Sequence, residues 1–286
     1  MILSTSPNLL NRYRQNLMLD DSSSAIDKLR QLNDIGFRCF DFNFCDYVRG
    51  ESSPFRRPDW QEWLQEIDRY ARQNGIRFYQ AHGHMFESFP DFSEDLTTQL
   101  IERSVIGSSI LGVQWVIFHA YPRPDDMERT WQRMDQLLEL TQQYKVGLAI
   151  ENSSAGHAMP DADALIRLLD RYPGQSVGVC WDTGHANINR TFKQGDELRK
   201  LGSRLKALHV ADNAGRGDDH LAPYMGTIDW PDILRAFKDI GYQGTFNFEC
   251  HNQAIRIMDP DLRLASIRLI HAIGLDLVRQ YEQMGT

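Results

Sequence analysis

Short apolar segments that alternate with helical segments constrain the fold of this chain more than any other feature of its sequence. Eight of these segments have the length and composition of buried strands, near residues 2–4, 38–42, 76–81, 115–119, 147–151, 177–182, 205–210 and 245–249. The stretches between them are amphipathic; Trp131, Met134 and Leu138, for example, repeat at helical spacing. Eight strand–helix units in 286 residues are typical of an α/β protein that forms a single (β/α)8 TIM barrel, so we predict one domain over residues 1–286.

A doubly wound parallel sheet is the competing fold for this pattern. That fold usually places a glycine-rich phosphate-binding turn directly after its first strand. Here the first apolar segment runs into Ser4, Thr5, Ser6, Pro7 and Asn8, which include no glycine. The barrel is therefore the favoured fold.

Glycines precede several of the predicted strands. They stand at positions 36, 75, 112, 147 and 241. Because the residue that follows a helix often takes a left-handed backbone conformation, which glycine adopts easily, we expect each of these glycines to end a helix.

The composition is that of a soluble globular protein, with 42% hydrophobic and 24% charged residues. The net charge of −8 argues against a nucleic-acid partner, because duplex-binding proteins carry a basic face. No apolar run approaches the roughly 20 residues of a membrane span, and the N-terminus lacks the pattern of a signal peptide, so we expect no membrane partner. The cysteines, which lack CxxC spacing, argue against a thiolate zinc site and fit a reducing cytoplasm; they are Cys39, Cys45, Cys180 and Cys250. We therefore expect a cytoplasmic protein, and the sequence leaves a homo-oligomer open.

The nine histidines are distributed unevenly along the chain. Only His271 falls in a predicted helix, whereas the others lie in, end or follow predicted strands: His82, His84, His119, His157, His185, His209, His220 and His251. In a (β/α)8 barrel the loops at the C-terminal ends of the strands build the active site. The distribution therefore predicts a shared site at that end of the barrel.

Carboxylates end three of the last four predicted strands. Glu151, Asp182 and Glu249 each close an apolar segment, where a carboxylate is unfavourable unless it is paired, hydrogen-bonded or metal-bound. With His209 they come from neighbouring strands five to eight, and this O/N set suits a divalent metal ion such as Mn²⁺, Mg²⁺, Co²⁺ or Zn²⁺. The alternative is a buried salt-bridge cluster, but no Lys or Arg in the neighbouring strands supplies the counter-charge.

Several motifs occur in one order along the chain, at residues 81–82, 116–119, 149–152, 180–185, 208–210, 218–223 with 226–230, and at Glu249. Together they resemble the xylose-isomerase-like TIM barrel superfamily, in particular its sugar phosphate isomerase/epimerase branch, which is related to the apurinic endonucleases. The resemblance implies that a divalent metal is bound by Glu151, Asp182, His209 and Glu249. It also implies that Glu151 and Glu249 are catalytic and move protons at the reacting carbon.

The same resemblance places substrate-binding residues around the metal, at His185, Arg216, His82 and His119. The expected activity is that of a divalent-metal-dependent isomerase or epimerase, which acts on a sugar, a sugar phosphate or a related polyol or keto compound through a metal-stabilised enediolate. A small-molecule sugar or sugar phosphate is then the expected partner.

Two rival functions remain. Asp218 and His220, together with His82, His119 and His185, match the extra ligands of the three-metal apurinic endonucleases, which implies a second metal and a phosphodiester hydrolase. The acidic composition and the lack of a basic face count against that activity. The third reading is a barrel that binds a metal or a sugar without turnover.

Overall fold

Eight parallel strands form the centre of the structure and follow one another around it in chain order. The structure, a computed structural model, describes residues 1–11, 13–14, 17–18, 24–86, 92–120, 127–154, 156–189, 191–255 and 257–284. The strands are β1 (Ile2–Thr5), β2 (Cys39–Asn43), β3 (Arg77–His82), β4 (Trp115–His119), β5 (Gly147–Glu151), β6 (Val177–Asp182), β7 (Leu205–His209) and β8 (Thr245–Phe248). The predicted barrel is therefore confirmed, and its strands lie within one or two residues of the predicted segments.

Helices cover the outside of these strands. They are α1 (Ala25–Ile35), α2 (Trp60–Gln73), α3 (Glu94–Ile110), α4 (Met127–Tyr144), α5 (Ala162–Leu169), α6 (Thr183–Ile188), α7 (Gln194–Leu201), α8 (Trp230–Asp239) and α9 (Pro260–Gln283). Their buried apolar side chains pack against the outer faces of the strands and form the main core. Among the described residues, no helix combines the length and hydropathy needed to cross a membrane.

The barrel closes between β7 and β8. Val210 pairs with Phe248 in a single parallel bridge, in which Val210 N donates to Asn247 O at 2.7 Å and Glu249 N donates to Val210 O at 3.0 Å. Each of the other neighbouring pairs of strands is hydrogen-bonded in parallel within one sheet. The closure therefore lies directly beside two of the predicted site residues, His209 and Glu249.

The inside of the barrel is built in layers. Small or apolar side chains from four neighbouring strands form one layer: Ile117, Ala149, Cys180 and Ala207. Because side chains alternate between the two faces of a strand, the residue two positions later on each strand also faces inward. Those residues are His119, Glu151, Asp182 and His209. The small layer thus forms the floor on which the polar residues stand.

Four of the five expected helix-ending glycines have positive φ, namely Gly36, Gly75, Gly112 and Gly241. The prediction for Gly147 is wrong. Gly147 is the first residue of β5, and Lys145 takes the left-handed conformation instead, with φ 57°. A Cβ atom at Gly147 would lie 2.5 Å from the Trp115 ring, so this glycine is required for the close approach of β4.

Candidate metal centre

The C-terminal ends of the last four strands bring Glu151, Asp182, His209 and Glu249 together. One ligand atom from each lies within 4.8 Å of the others. His209 Nδ1 is 3.1 Å from Glu151 Oε2 and 3.3 Å from Glu249 Oε2. Glu151, Asp182 and His209 are at most 2% exposed. The structure therefore gathers all four residues that the sequence suggested as metal ligands.

Three atoms of this group are buried and lack a hydrogen-bond partner among the described residues: Glu151 Oε2, Asp182 Oδ2 and His209 Nδ1. An unsatisfied buried polar group destabilises a fold by about 1–3 kcal/mol, and here three converge on one point. No Lys or Arg is recorded in an ion pair with these carboxylates in the described part of the chain; their ion-pair partners are histidines. A divalent cation would satisfy the three atoms at once, so the residues fit a metal better than a salt-bridge cluster.

Asp41 fixes the orientation of the His209 ring, and sequence reasoning missed it. It is 2% exposed on β2, and its Oδ2 accepts from His209 Nε2 at 3.0 Å. Gln80 Nε2 and Asn247 Nδ2 donate to the same oxygen at 2.8 and 3.1 Å. Because a carboxylate can only accept, Nε2 of His209 carries a proton, and Nδ1 is the ring nitrogen that faces the centre. The sequence does contain a sign of this role, because Asp41 is a carboxylate within the apolar segment of β2, just as Glu151 is a carboxylate at the end of one.

Asp182 joins β6 to a short helix. Its Oδ1 accepts from His185 N at 2.7 Å and caps α6, which begins at Thr183. The Asn152 side chain brackets the Asp182 backbone, accepting from its N at 2.6 Å and donating to its O at 3.0 Å. With Oδ1 used by the cap, Oδ2 is the oxygen left to face the centre.

His82 and His119 lie beside Glu151. His82 Nδ1 donates to Gly83 O at 2.8 Å, which leaves Nε2 directed at His119 Nε2, 3.2 Å away. His119 Nε2 is in turn 3.3 Å from Glu151 Oε2. Burial lowers the pKa of His119 to about 4, so this ring is a neutral imidazole at physiological pH.

His185, Asp218 and His220 form a chain on the other side of Glu151. His185 Nδ1 donates to Asn152 O at 2.9 Å, and its Nε2 lies 3.4 Å from Asp218 Oδ2. The same oxygen is 2.9 Å from His220 Nε2. Burial raises the pKa of Asp218, but hydrogen bonds from the two histidines hold it well below its usual range. The structure therefore places Asp218 and His220 next to the main centre, where the resemblance to the three-metal apurinic endonucleases predicts further ligands.

The carboxylates of the centre differ in their electrostatic surroundings. Burial, together with the charge of nearby carboxylates, raises the pKa of Asp182 to about 6. The charge of His185 lowers this pKa, but by a smaller amount. Burial also raises the pKa of Glu151, but the surrounding histidines, His119 and His209 first, lower it well below its usual range. Glu151 is therefore ionised at neutral pH, as both a metal ligand and a base must be.

Asp212 anchors the loop that carries Asp218 and His220. This carboxylate is 0% exposed and accepts from four backbone N–H groups and one indole, at distances of 2.9 to 3.3 Å. The donors are Asn213 N, Tyr224 N, Thr227 N, Ile228 N and Trp230 Nε1. Arg216, the remaining predicted substrate residue, is exposed on this loop and is not among the residues that line the cavity. Sequence reasoning missed Asp212, although it follows β7 at the same end of the barrel.

A cavity of about 290 Å³ opens above the centre. Glu151 and Glu249 line it, and so do His82, His119, His185, Asp218 and His220. Asp182 and His209 lie buried behind these residues. Small-molecule sites occupy about 300–1,000 Å³, so a cavity of this size suits a compact ligand.

The sequence model of the xylose isomerase-like TIM barrel family matches residues 29–271. The chain belongs to this family. D-psicose 3-epimerase of Enterocloster bolteae is 26% identical to it over 201 residues, which are 64% of this chain and 65% of the epimerase. An uncharacterized protein of Sinorhizobium fredii, y4fM, is 29% identical over 194 residues, 64% of this chain and 62% of that protein. The chain thus spans less than two thirds of the length of these relatives.

Solved structures of the xylose isomerase-like fold superpose along nearly the whole chain. The IOLI protein, solved with a bound zinc atom, has a TM-score of 0.76 and 15% identity, over 99% of this chain and 100% of its own. D-psicose 3-epimerase, solved in the presence of D-fructose, has a TM-score of 0.72 and 16% identity, over 97% of this chain and 99% of its own. At these identities the likeness shows a shared fold.

The Asp212 network predicts how the loop responds to mutation. Asp212→Ala leaves three backbone N–H groups and the Trp230 indole without their acceptor, while Thr227 N keeps Asn213 O, so we expect lower thermal stability and faster proteolysis within residues 213–228. Asp229→Ala is the matched control, because Asp229 caps α8 at the end of the same loop and accepts from Asp232 N. Limited proteolysis with mass spectrometry measures the effect. Equal cleavage rates in the two variants would show that Asp212 does not anchor the loop.

Proposed function

We propose that this protein is a divalent-metal-dependent isomerase or epimerase of a sugar, a sugar phosphate or a related polyol. The observation that carries the proposal is a pair of glutamates, one at the end of β5 and one directly after β8, that converge at the C-terminal end of the barrel. Glu151 and Glu249 both approach His209 Nδ1 within 3.3 Å, and both line the cavity. Two carboxylates at one reacting carbon can serve as base and acid.

The metal would be held by Glu151, Asp182, His209 and Glu249, as Mn²⁺, Mg²⁺, Co²⁺ or Zn²⁺. When bound, it supplies Lewis acidity at the substrate carbonyl. Relatives support this assignment, since the IOLI protein, a structural neighbour, was solved with a zinc atom.

The chain's own residues provide the proton transfers. A Glu151 oxygen removes the proton from the carbon next to the carbonyl, which gives an enediolate. Glu249, in its carboxylic acid form, donates its own proton to the other side of that carbon and inverts its configuration, which leaves Glu151 protonated and Glu249 ionised. His185 and the His82–His119 pair line the cavity, where they are placed to bind substrate oxygens. D-psicose 3-epimerase is among both the sequence relatives and the structural neighbours, which supports sugar epimerisation as the reaction class.

The glutamate pair predicts the result of an isotope-exchange assay. With metal and a panel of ketoses and aldoses in deuterated water, Glu249→Gln should slow solvent deuterium incorporation at the reacting carbon by about 100-fold or more, because it removes the acid–base oxygen. Glu282→Gln, at an exposed position of α9, is the matched control and should exchange at the wild-type rate. Wild-type exchange by Glu249→Gln would disprove its proton-transfer role.

Asp41 predicts a change in metal affinity that does not depend on activity. Asp41→Asn removes the carboxylate that holds the proton on His209 Nε2, so we expect Co²⁺ or Mn²⁺ affinity to fall about 10- to 100-fold. Competition with a fluorescent chelator measures it, with the half-buried surface variant Asp68→Asn as the control. Equal affinities would show that Asp41 does not orient the ligand.

A second candidate function is a phosphodiester hydrolase with more than one metal. The specific observation in its favour is that His82, His119 and Glu151 form a further group whose ligand atoms lie within 4.8 Å of one another. The His185–Asp218–His220 chain supplies three more potential ligands beside it.

Metal content separates the two functions. For the epimerase we expect one exchangeable metal per chain, measured by elemental mass spectrometry of the purified protein. Two or three tightly held zinc ions per chain, together with cleavage of a DNA duplex that contains an abasic site, would establish the hydrolase instead. His119→Ala serves as the control, because it removes a ligand of the second group alone.

A further inference from the structure

The cavity has a second polar wall, which neither proposed mechanism uses. It consists of Asn8, Asn11, Asn43 and Asp46, which follow or end β1 and β2, and we call it the distal wall. In a ring of eight strands, β1 and β2 stand across the barrel from β5 and β6, which carry Glu151 and Asp182. A ligand held at the metal centre therefore extends toward the distal wall.

Asn8 lines this cavity and carries an acceptor oxygen that is buried beside it. Its side chain is 6% exposed, and its Oδ1 is buried without a hydrogen-bond partner among the described residues. Its backbone is fixed, since Asn8 N donates to Ser6 Oγ at 3.3 Å and Asn8 O accepts from Asn11 N at 2.8 Å. A buried acceptor without a partner destabilises the fold, and a ligand hydroxyl bound at this wall of the cavity would supply the missing donor.

Two buried cations hold the neighbouring Asn11 in place. Lys28, from α1, donates to Asn11 Oδ1 at 2.8 Å. Arg263, from α9, donates to Leu10 O and to Asn11 O. Both cations are at most 7% exposed, and burying a charged side chain is unfavourable unless it is paired. This loop is therefore held rigidly in position, as a specific binding surface requires.

Asp46 adds a second acceptor to the distal wall. With its oxygen used by Lys28, the Asn11 amide donates to Asp46 through Nδ2. Burial, opposed by Lys28 and by this hydrogen bond, raises the pKa of Asp46 to about 6. At neutral pH the carboxylate is mainly ionised and can only accept hydrogen bonds.

We propose that the distal wall binds hydroxyl groups at the end of the substrate remote from the reacting carbon, with Asn8 Oδ1 as the specificity-determining acceptor. The inference rests on the proposed epimerase function and narrows its substrate. Acceptor oxygens select an O–H donor and disfavour a phosphate dianion, which offers further acceptors and a like charge toward Asp46. The substrate is thus a polyhydroxylated monosaccharide that carries a free hydroxyl, and no phosphate, at this end.

A substrate-truncation cycle tests this role. The metal-loaded protein is assayed for solvent deuterium exchange with ketohexoses, their monodeoxy analogues and their terminal phosphate esters. In the wild type, one monodeoxy analogue should lose about tenfold in kcat/KM, equivalent to about 1.4 kcal/mol, and the phosphate ester should lose more. Asn8→Ala should lower kcat/KM for the parent sugar about tenfold and leave that analogue unchanged, so that the discrimination disappears.

Two further variants keep the test specific. Asn8→Asp retains a side-chain oxygen acceptor and should restore the preference for the parent sugar. Asn74→Ala, an equivalent truncation at the C-terminal end of α2, should behave as the wild type. Thermal unfolding of each variant checks that the fold is intact.

The outcomes distinguish this proposal from the function on which it rests. Sugar turnover with the same parent-to-analogue ratio in wild type and Asn8→Ala would overturn the distal wall alone. A wild-type preference for the phosphate ester would do the same. Failure of the wild type to exchange or bind any sugar would overturn both proposals.

Discussion

The structure depends on holding three carboxylates and one imidazole within 4.8 Å of one another, mostly out of contact with water. Like charges at this separation repel, and a flexible chain would move them apart. The parallel barrel prevents this, because each group stands on a different strand whose backbone is hydrogen-bonded on both sides. The small layer of Ala149, Cys180 and Ala207 beneath them leaves the room that larger residues would fill.

The surrounding polar contacts follow from the same requirement. Asp41, Gln80 and Asn247 place one hydrogen-bonded carboxylate under His209, and Asn152 fixes the backbone of Asp182. These contacts use the donor and acceptor atoms that face away from the centre. The atoms left without a hydrogen-bond partner, Glu151 Oε2, Asp182 Oδ2 and His209 Nδ1, belong to the residues that converge, and they could therefore bind a cation.

The sequence was sufficient for the fold and for the four converging residues, because strand ends can be recognised from apolar segments that stop at a polar side chain. It was not sufficient for Asp41, since a carboxylate within a strand can face either the barrel interior or the helices. The distal wall could not be predicted from the sequence either. Asn11 is held by Lys28 and by Arg263, and Arg263 lies 252 residues away along the chain. Arg216, which a motif suggested as a substrate-binding residue, has an exposed side chain on the loop that Asp212 anchors, and its role stays a prediction. Gly147 was misassigned because its small size serves the packing of Trp115 rather than the end of a helix.

The closure of the barrel between β7 and β8 has a consequence for how binding and folding are linked. This seam consists of the single bridge between Val210 and Phe248, and the side chains on either side of it are His209 and Glu249. A cation shared by those two side chains would join the two strands across the seam, in addition to its two backbone hydrogen bonds. Opening the ring and releasing the cation would then be one event, and the occupancy of the centre would set how tightly the ring stays shut.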